Sequence, residues 1–308
     1  MAQLLLYKIL QLFVMMGVGF LLAKTKVLQK DDTIALSRIS LYLLTPLALF
    51  NAFNIEFSRD TVTGLLFALG AAIVIHLLFF GIDAVYTKLF RGTPSDRASI
   101  IYSNSGNLII PLVTYMLGKE WVIFSTAFLS VQIVFLWTHG FALFSGEKKL
   151  HLRKILLNPN ILAVAFGLVL MLTGWRLPTF AGEITSAFSD MLGPVAMLIA
   201  GVLAAHAPYK KVLHDRRFYL AVIVRTLICP VVVLVAMKAF SLVFTLPNMK
   251  SILMVSYLAA IPPSASTVVQ FATLTDKDPD LAAVINIVST VVCIGTMPLF
   301  VALYQAIL

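Results

Sequence analysis

Ten apolar runs, separated by short polar gaps, fill this chain of 308 residues almost end to end. They fall at 3–23, 33–53, 61–87, 98–117, 121–145, 159–176, 183–205, 218–246, 251–273 and 281–307. A helix needs roughly 20 apolar residues to cross a hydrocarbon core ~30 Å thick. Lipid offers backbone amides no partner, so spans of this kind are helical. Hydrophobic residues make up 60% of the chain and charged residues 12%, against about 25% charged in soluble domains. A disordered chain, a disulfide scaffold and an ordinary soluble enzyme are excluded, and the gaps leave no room for a soluble domain. The predicted fold is an all-α integral membrane protein with ten transmembrane helices. The first run lacks a small-residue cleavage pattern and is read as a span, not a removable leader.

The formal charge is +9. Such an excess can signal nucleic acid, but Lys and Arg here sit in the gaps and not along one helix face, so no nucleic-acid partner is expected. Alternate gaps differ sharply. One set carries fifteen: Lys24, Lys26, Lys30, Lys88, Arg91, Arg97, Lys148, Lys149, Arg153, Lys154, Lys210, Lys211, Arg216, Arg217 and Lys277. The other carries four: Arg59, Lys119, Arg176 and Lys250. The positive-inside rule places the first set in the cytoplasm, with both termini outside the inner membrane. Cys229 and Cys293 lie inside apolar runs and are too few for a disulfide framework.

The longest basic gap, 146–158, divides the chain into residues 1–145 and 159–308, with five runs in each. Five is odd, so the halves would have opposite topology, as inverted repeats do. Gly19 and Pro46 are 27 residues apart, as are Gly167 and Pro194, and LLTPLAL (43–49) resembles MLGPVAM (191–197). Pro111 in the fourth run and Pro262 in the ninth extend the match.

The fourth run places Asn104, Ser105, Gly106 and Asn107 together at mid-membrane, and Pro111 removes a further amide donor. In the ninth, Pro262, Pro263 and Ser264 interrupt the apolar run near its middle. Paired interruptions of this kind point to a carrier's binding site. A broken helix frees amides and carbonyls that must face protein, water or a solute, and each new half-helix presents a partly positive N-terminus that favours an anion.

Several segments together make the chain resemble the auxin efflux carrier family. They are SRISLYLLTPLALF (37–50), NSGNLIIPL (104–112), VQIVFLWT (131–138), FSDMLGPVAML (188–198), VRTLICP (224–230) and AAIPPSASTVV (259–269). The resemblance implies ten spans, an inverted five-plus-five repeat, and spans four and nine crossing as broken helices, the architecture shared with bile-acid symporters and sodium–proton antiporters. It implies a scaffold of spans 1, 2, 6 and 7 beside a transport unit of spans 3–5 and 8–10. It also implies substrates such as auxin, malonate, malate and other carboxylates. Asn104 matches the family's crossover asparagine, Gln132 a substrate-facing glutamine, Pro262 the span-nine proline, and Asp190 the aspartate of a span-seven motif. Here that motif continues Met191-Leu192-Gly193-Pro194 where plant members are glycine-rich. The large cytoplasmic loop of some plant members is missing.

The expected substrate-binding set is Asn104, Ser105, Asn107, Gln132, Asn51 and Ser264, with Pro111, Pro262 and Pro263 as crossover residues. Asp190, Asp83 and Arg225 are polar groups for coupling or structure. Intramembrane charges are usually partnered, so Asp83 and Arg225 are expected either to pair or to snorkel to the interface. His76 and His139 are candidate proton carriers or packing residues. Neither break contains Asp or Glu, which suits an organic anion better than a cation. The expected function is secondary transport of a small carboxylate by alternating access. A sodium- or proton-coupled symporter of the bile-acid-transporter type is the alternative, and a homodimer stays open beside it. No HExxH, Walker or metal-ligand spacing occurs, so neither an enzyme, a metal site nor a cofactor is expected.

Overall fold

The computed structural model describes residues 2–55, 58–146, 153 and 156–308. Most of the basic gap 146–158, including Lys148, Lys149 and Lys154, lies outside the described residues. Among the described residues the regular elements are helical, apart from one isolated bridge. In chain order they are α1 (Ala2–Lys24), α2 (Asp32–Asn51), α3 (Arg59–Phe90), α4 (Pro94–Ile101), α5 (Ser105–Met116) and α6 (Lys119–Ser145). Then follow α7 (Pro159–Thr173), α8 (Thr179–His206), α9 (Arg216–Val243), α10 (Met249–Ala260), α11 (Ser266–Thr275) and α12 (Pro279–Ile307). Seven of these, α1, α2, α3, α6, α8, α9 and α12, are long and apolar enough to cross a membrane. The helices α5, α7 and α10 are shorter but apolar.

The helices are sorted by side-chain size, not by polarity. In α3 the buried face carries Gly64, Ala68, Ala71, Ala72, Ile75, His76 and Phe79, at helical spacing. Its outer face carries Leu66 and Leu77, which are 63% and 56% exposed. Lipid tails are as apolar as leucine, so packing of small residues, not a hydrophobic gradient, holds such helices together. The closest approach is between α1 and α8. A Cβ added at Gly201 would lie 2.0 Å from the Met16 carbonyl oxygen, and one at Gly19 would lie 2.4 Å from that of Leu198. Only glycine at both positions lets these backbones touch. In the same way α7 packs on α2, where a Cβ at Gly167 would meet the Phe53 ring at 2.6 Å.

Three helices contain a widened π-turn: Ser40–Leu44 in α2, Leu136–Gly140 in α6 and Val224–Ile228 in α9. Two of them stand directly before a proline, Pro46 and Pro230. A proline ring clashes with the carbonyl four residues back, and opening the turn relieves the clash without ending the helix. These turns re-aim the side chains next to the interrupted segments. The first bears Ser40, and the last bears Arg225.

Candidate functional site

Both interruptions are present, and they meet. The chain leaves α4 at Tyr102, which is extended (φ −95°, ψ 120°), and re-enters a helix at Ser105. It leaves α10 after Ala260 and re-enters at Ser266, with Ala265 extended (φ −68°, ψ 137°). Between them Ser103 and Ser264 form an antiparallel bridge. The Asn104 amide donates to the Pro263 carbonyl (2.7 Å), and the Ala265 amide donates to that of Tyr102 (2.9 Å). In such a pair the backbone groups of the two central residues point outward and need other partners. Gln132 supplies them on one side. Its carbonyl oxygen accepts from the Ser103 amide (3.1 Å), and its amide donates to the Ser103 carbonyl (2.9 Å) and to Ser105 Oγ (3.0 Å). On the other side Asn286 donates to the Ser264 carbonyl, and Ser289 Oγ accepts from its amide (3.2 Å).

A polar cavity of about 60 Å³ adjoins this bridge. It is lined by Asn104 and Asn107 at the start of α5, Ser266 and Gln270 from α11, Asn286 from α12, and Ser40 and Thr45 from the π-turn region of α2. Ala196, Ala200 and Leu203 of α8 close it. No Asp, Glu, Lys or Arg lines it. Asn107 Nδ2 donates to Asn104 Oδ1 (3.0 Å) and to Ser266 Oγ (3.3 Å), which ties the two half-helix N-termini together. Polar neutral donors and two positive helix ends together favour an anion.

A second, larger cavity of about 560 Å³ opens at the other end of the bundle, lined by Lys8, Asn51, Pro111, Tyr115, Lys119, Ser189 and Asp190 among others. The two cavities share no lining residue and lie about one helical turn apart. In α2 the step is from Thr45 to Ala48, in α5 from Asn107 to Ile110, and in α8 from Ala196 to Gly193. Within that turn of α5, Leu108 is buried.

The sequence profile of the family described as membrane transport protein matches residues 4–152 and 148–301. The chain belongs to this family, the auxin efflux carrier family. No curated relative matches it.

The structure gathers some of the expected site residues of this transport protein and disperses others. Asn104 and Asn107 share the small cavity. Ser105 and Gln132 do not line it; Gln132 is engaged with Ser105 and Ser103 and holds the break. Ser264 is buried in the bridge itself, and its hydroxyl has no partner among the described residues. Asn51 and Asp190 belong to the second cavity. There Asn51 accepts from Thr185 Oγ1 (2.6 Å) and donates to Ser189 Oγ (3.1 Å), joining α2 to α8.

Two expectations are corrected. Pro111 is not in the break. It lies inside α5 and packs near Gly193, because the chain has already turned at Tyr102–Asn104. Pro262 and Pro263 do lie in their break, so the position facing Ser264 is Ser103, and the Pro111–Pro262 match is out of register at the bridge. Asp83 and Arg225 neither pair nor snorkel. Asp83 is 3% exposed and binds Arg97 of α4 (2.7 Å). Arg225 is 0% exposed and donates to the carbonyls of Ile100 (3.0 Å), Pro262 (2.7 and 3.0 Å) and Ala260. The freed carbonyls of the breaks lie nearer to Arg225 than any carboxylate among the described residues.

The histidines are packed. His76 Nδ1 contacts the Ala72 carbonyl (2.7 Å), and His139 Nδ1 lies 2.9 Å from the Tyr102 hydroxyl. Sequence reasoning missed Asn286, Ser266, Gln270 and Ser40. The available signal for Asn286 was a lone asparagine in an otherwise apolar run, INIVST (285–290), five runs after the one that holds Gln132.

Proposed function

We propose that this membrane transport protein is a secondary carrier for a small organic anion, in particular a carboxylate, working by alternating access. In this reading the chain crosses the membrane ten times, with α4–α5 and α10–α11 as two broken spans that cross at the Ser103–Ser264 bridge. The halves 1–145 and 159–308 are inverted repeats. The observation that carries the reading is the pair of cavities at opposite ends, one helical turn apart, with two half-helix N-termini facing the smaller one. A site reachable from either end across so thin a layer is what alternating access requires.

In this reading α1, α2, α7 and α8 form the scaffold, and the contacts of α1 with α8 and of α2 with α7 support that grouping. The other helices, α3–α6 and α9–α12, form the unit that carries the breaks, and the contacts of α3 with α6, α6 with α10 and α11 with α12 support it. In α5 of the moving unit the buried Leu108 lies between the linings of the two cavities. Sliding of one body past the other by about one turn, ~5.4 Å, would transfer the polar cavity from one end to the other. In this reading the small cavity faces the cytoplasmic side and the larger one, with Lys8 and Lys119, the outside, an orientation the distribution of Lys and Arg among the gaps supports.

A thermal-shift panel of purified protein tests the substrate class. Malonate, malate, acetate and an aromatic acetate are compared with chloride, an organic amine and a neutral sugar at equal ionic strength. Saturation at about 100 times Kd stabilises the folded state by about 2.7 kcal/mol, so at least one carboxylate should raise the melting temperature by several degrees. A panel in which an amine or a neutral solute stabilises the protein and no carboxylate does would overturn the assignment.

A further inference from the structure

Arg225 is a buried cation without a carboxylate. It is 0% exposed, and no ion pair to it exists among the described residues. Its guanidinium sits instead among carbonyl oxygens at the C-terminal ends of two half-helices. Ile100 closes α4, and Ala260 and Pro262 close α10. The Phe79 ring lies 5.2 Å beneath it. Two thiols complete the shell, Cys229 toward the Ile100 carbonyl and Cys293 toward that of Ile261, each at 3.9 Å.

The charges balance. A helix C-terminus carries roughly half a negative elementary charge, so two such ends facing one point offer about one. That is the charge of one guanidinium. The carbonyls and half-helix C-termini of broken spans are also the groups that hold a coupling Na⁺ in carriers built this way.

We propose that the two breaks form a cation site and that Arg225 is its resident cation, tethered through the π-turn Val224–Ile228 of α9. The guanidinium saturates the acceptors that a monovalent metal ion would need, and it does so permanently. It links α4, α10 and the bridge into one rigid body that moves as a unit, and this carrier needs no sodium at its crossing. The last statement rests on the carrier reading given above. The site itself rests only on the geometry.

The experiment reads melting temperature in detergent, so it is independent of any substrate. Wild-type protein should melt at the same temperature in sodium, potassium and choline chloride at equal ionic strength. A rise specific to sodium would contradict the proposal. Lys and Met have nearly equal volume and differ in charge, so Arg225→Lys should melt clearly higher than Arg225→Met. Equal melting, or a more stable Arg225→Met, would make Arg225 a space-filler and overturn the cation site. Arg225→Ala should melt well below wild type and recover part of the loss in millimolar guanidinium chloride, with no such gain in wild type. Folded Arg225→Ala that gains nothing from guanidinium, sodium or potassium would also overturn it. If Arg225→Ala does not fold, the Lys–Met comparison decides. A carboxylate panel without hits would remove the carrier reading and leave these results unchanged.

Discussion

The break between α4 and α5 and the break between α10 and α11 reach the same backbone shape by different means. The second contains Pro262 and Pro263, which withhold amides and end α10 by their own chemistry. The first contains no proline. Its residues Tyr102, Ser103 and Asn104 could continue a helix, and it is held open from outside by the amide of Gln132. One interruption is written into the local sequence, whereas the other is imposed by a neighbouring helix. At the bridge itself Asn286 and Ser289 each make one bond to Ser264, while Gln132 alone meets four groups of the first, the Ser103 amide, hydroxyl and carbonyl and the Ser105 hydroxyl; the second break has its further support from Arg225, at Ala260 and Pro262.

That asymmetry sets the expected sizes of mutational effects. Gln132→Leu should be the most damaging. It leaves the Ser103 amide, the Ser103 carbonyl and Ser105 Oγ without partners, each worth about 1–3 kcal/mol when buried, for a loss of about 3–5 kcal/mol. Asn286→Leu strands one carbonyl and should cost about 1–3 kcal/mol. Melting curves of the two proteins under one detergent condition check the order, and equal losses would mean that the breaks are supported alike. Pro262→Ala should be milder still, about 1 kcal/mol, the centre of the usual range for point substitutions. Arg225 and Asn286 keep the break open, while the new amide can reach the Leu258 carbonyl. Hydrogen exchange would show the extra protected amide, and an unprotected one would place the burden of the break on Pro262 itself.

The smallest effect lies outside both breaks. Asp215 caps α9 by accepting from the Arg217 amide (2.9 Å), and its carboxylate is bound by the Arg217 guanidinium (2.6 Å). The Arg217 side chain holds the Asp215 carboxyl below its usual value. A depressed carboxylate stabilises the fold above its unfolded pKa of about 3.9 and loses that contribution as pH falls through the lower, folded value. Asp215→Asn should therefore lower the melting temperature slightly at neutral pH, where the carboxylate contributes, and flatten the shallow fall on acidification, so that the two proteins converge at low pH. An unaltered acid slope would mean that the cap does not titrate with folding.

The same asymmetry explains what the sequence reveals. The long apolar helices are legible because lipid demands long apolar runs, and seven of the runs coincide with helices long and apolar enough to cross a membrane. Prolines mark the second break directly. The first is betrayed by Asn104-Ser105-Gly106-Asn107, but its position is not, because Gln132, 29 residues further on, decides where the helix opens. Pro111 attracts the reading and is tolerated inside α5. Arg225 is legible as an intramembrane charge, and Asp83 is the nearest candidate partner by depth. Nothing in the sequence says that backbone carbonyls will be freed beside it. Likewise Asn51 and Asp190 read as site residues because they are polar, yet they line the opposite cavity. Membership of a cavity depends on which turn of α2 or α8 a residue occupies, and one turn separates the two.

The central claim is that the small cavity at the half-helix N-termini binds the anion, and Asn104 is its most direct reporter. Asn104→Leu keeps the side chain close in size and removes its polar group, whose partner among the described residues is Asn107. A hydrogen bond to a charged partner is worth about 1.5–3 kcal/mol. Affinity for whichever carboxylate stabilises the wild type should therefore fall about 10- to 100-fold, with the melting temperature of the unliganded protein nearly unchanged. A folded Asn104→Leu protein that binds that carboxylate with wild-type affinity would contradict the claim and move the site to the cavity of Asn51 and Asp190.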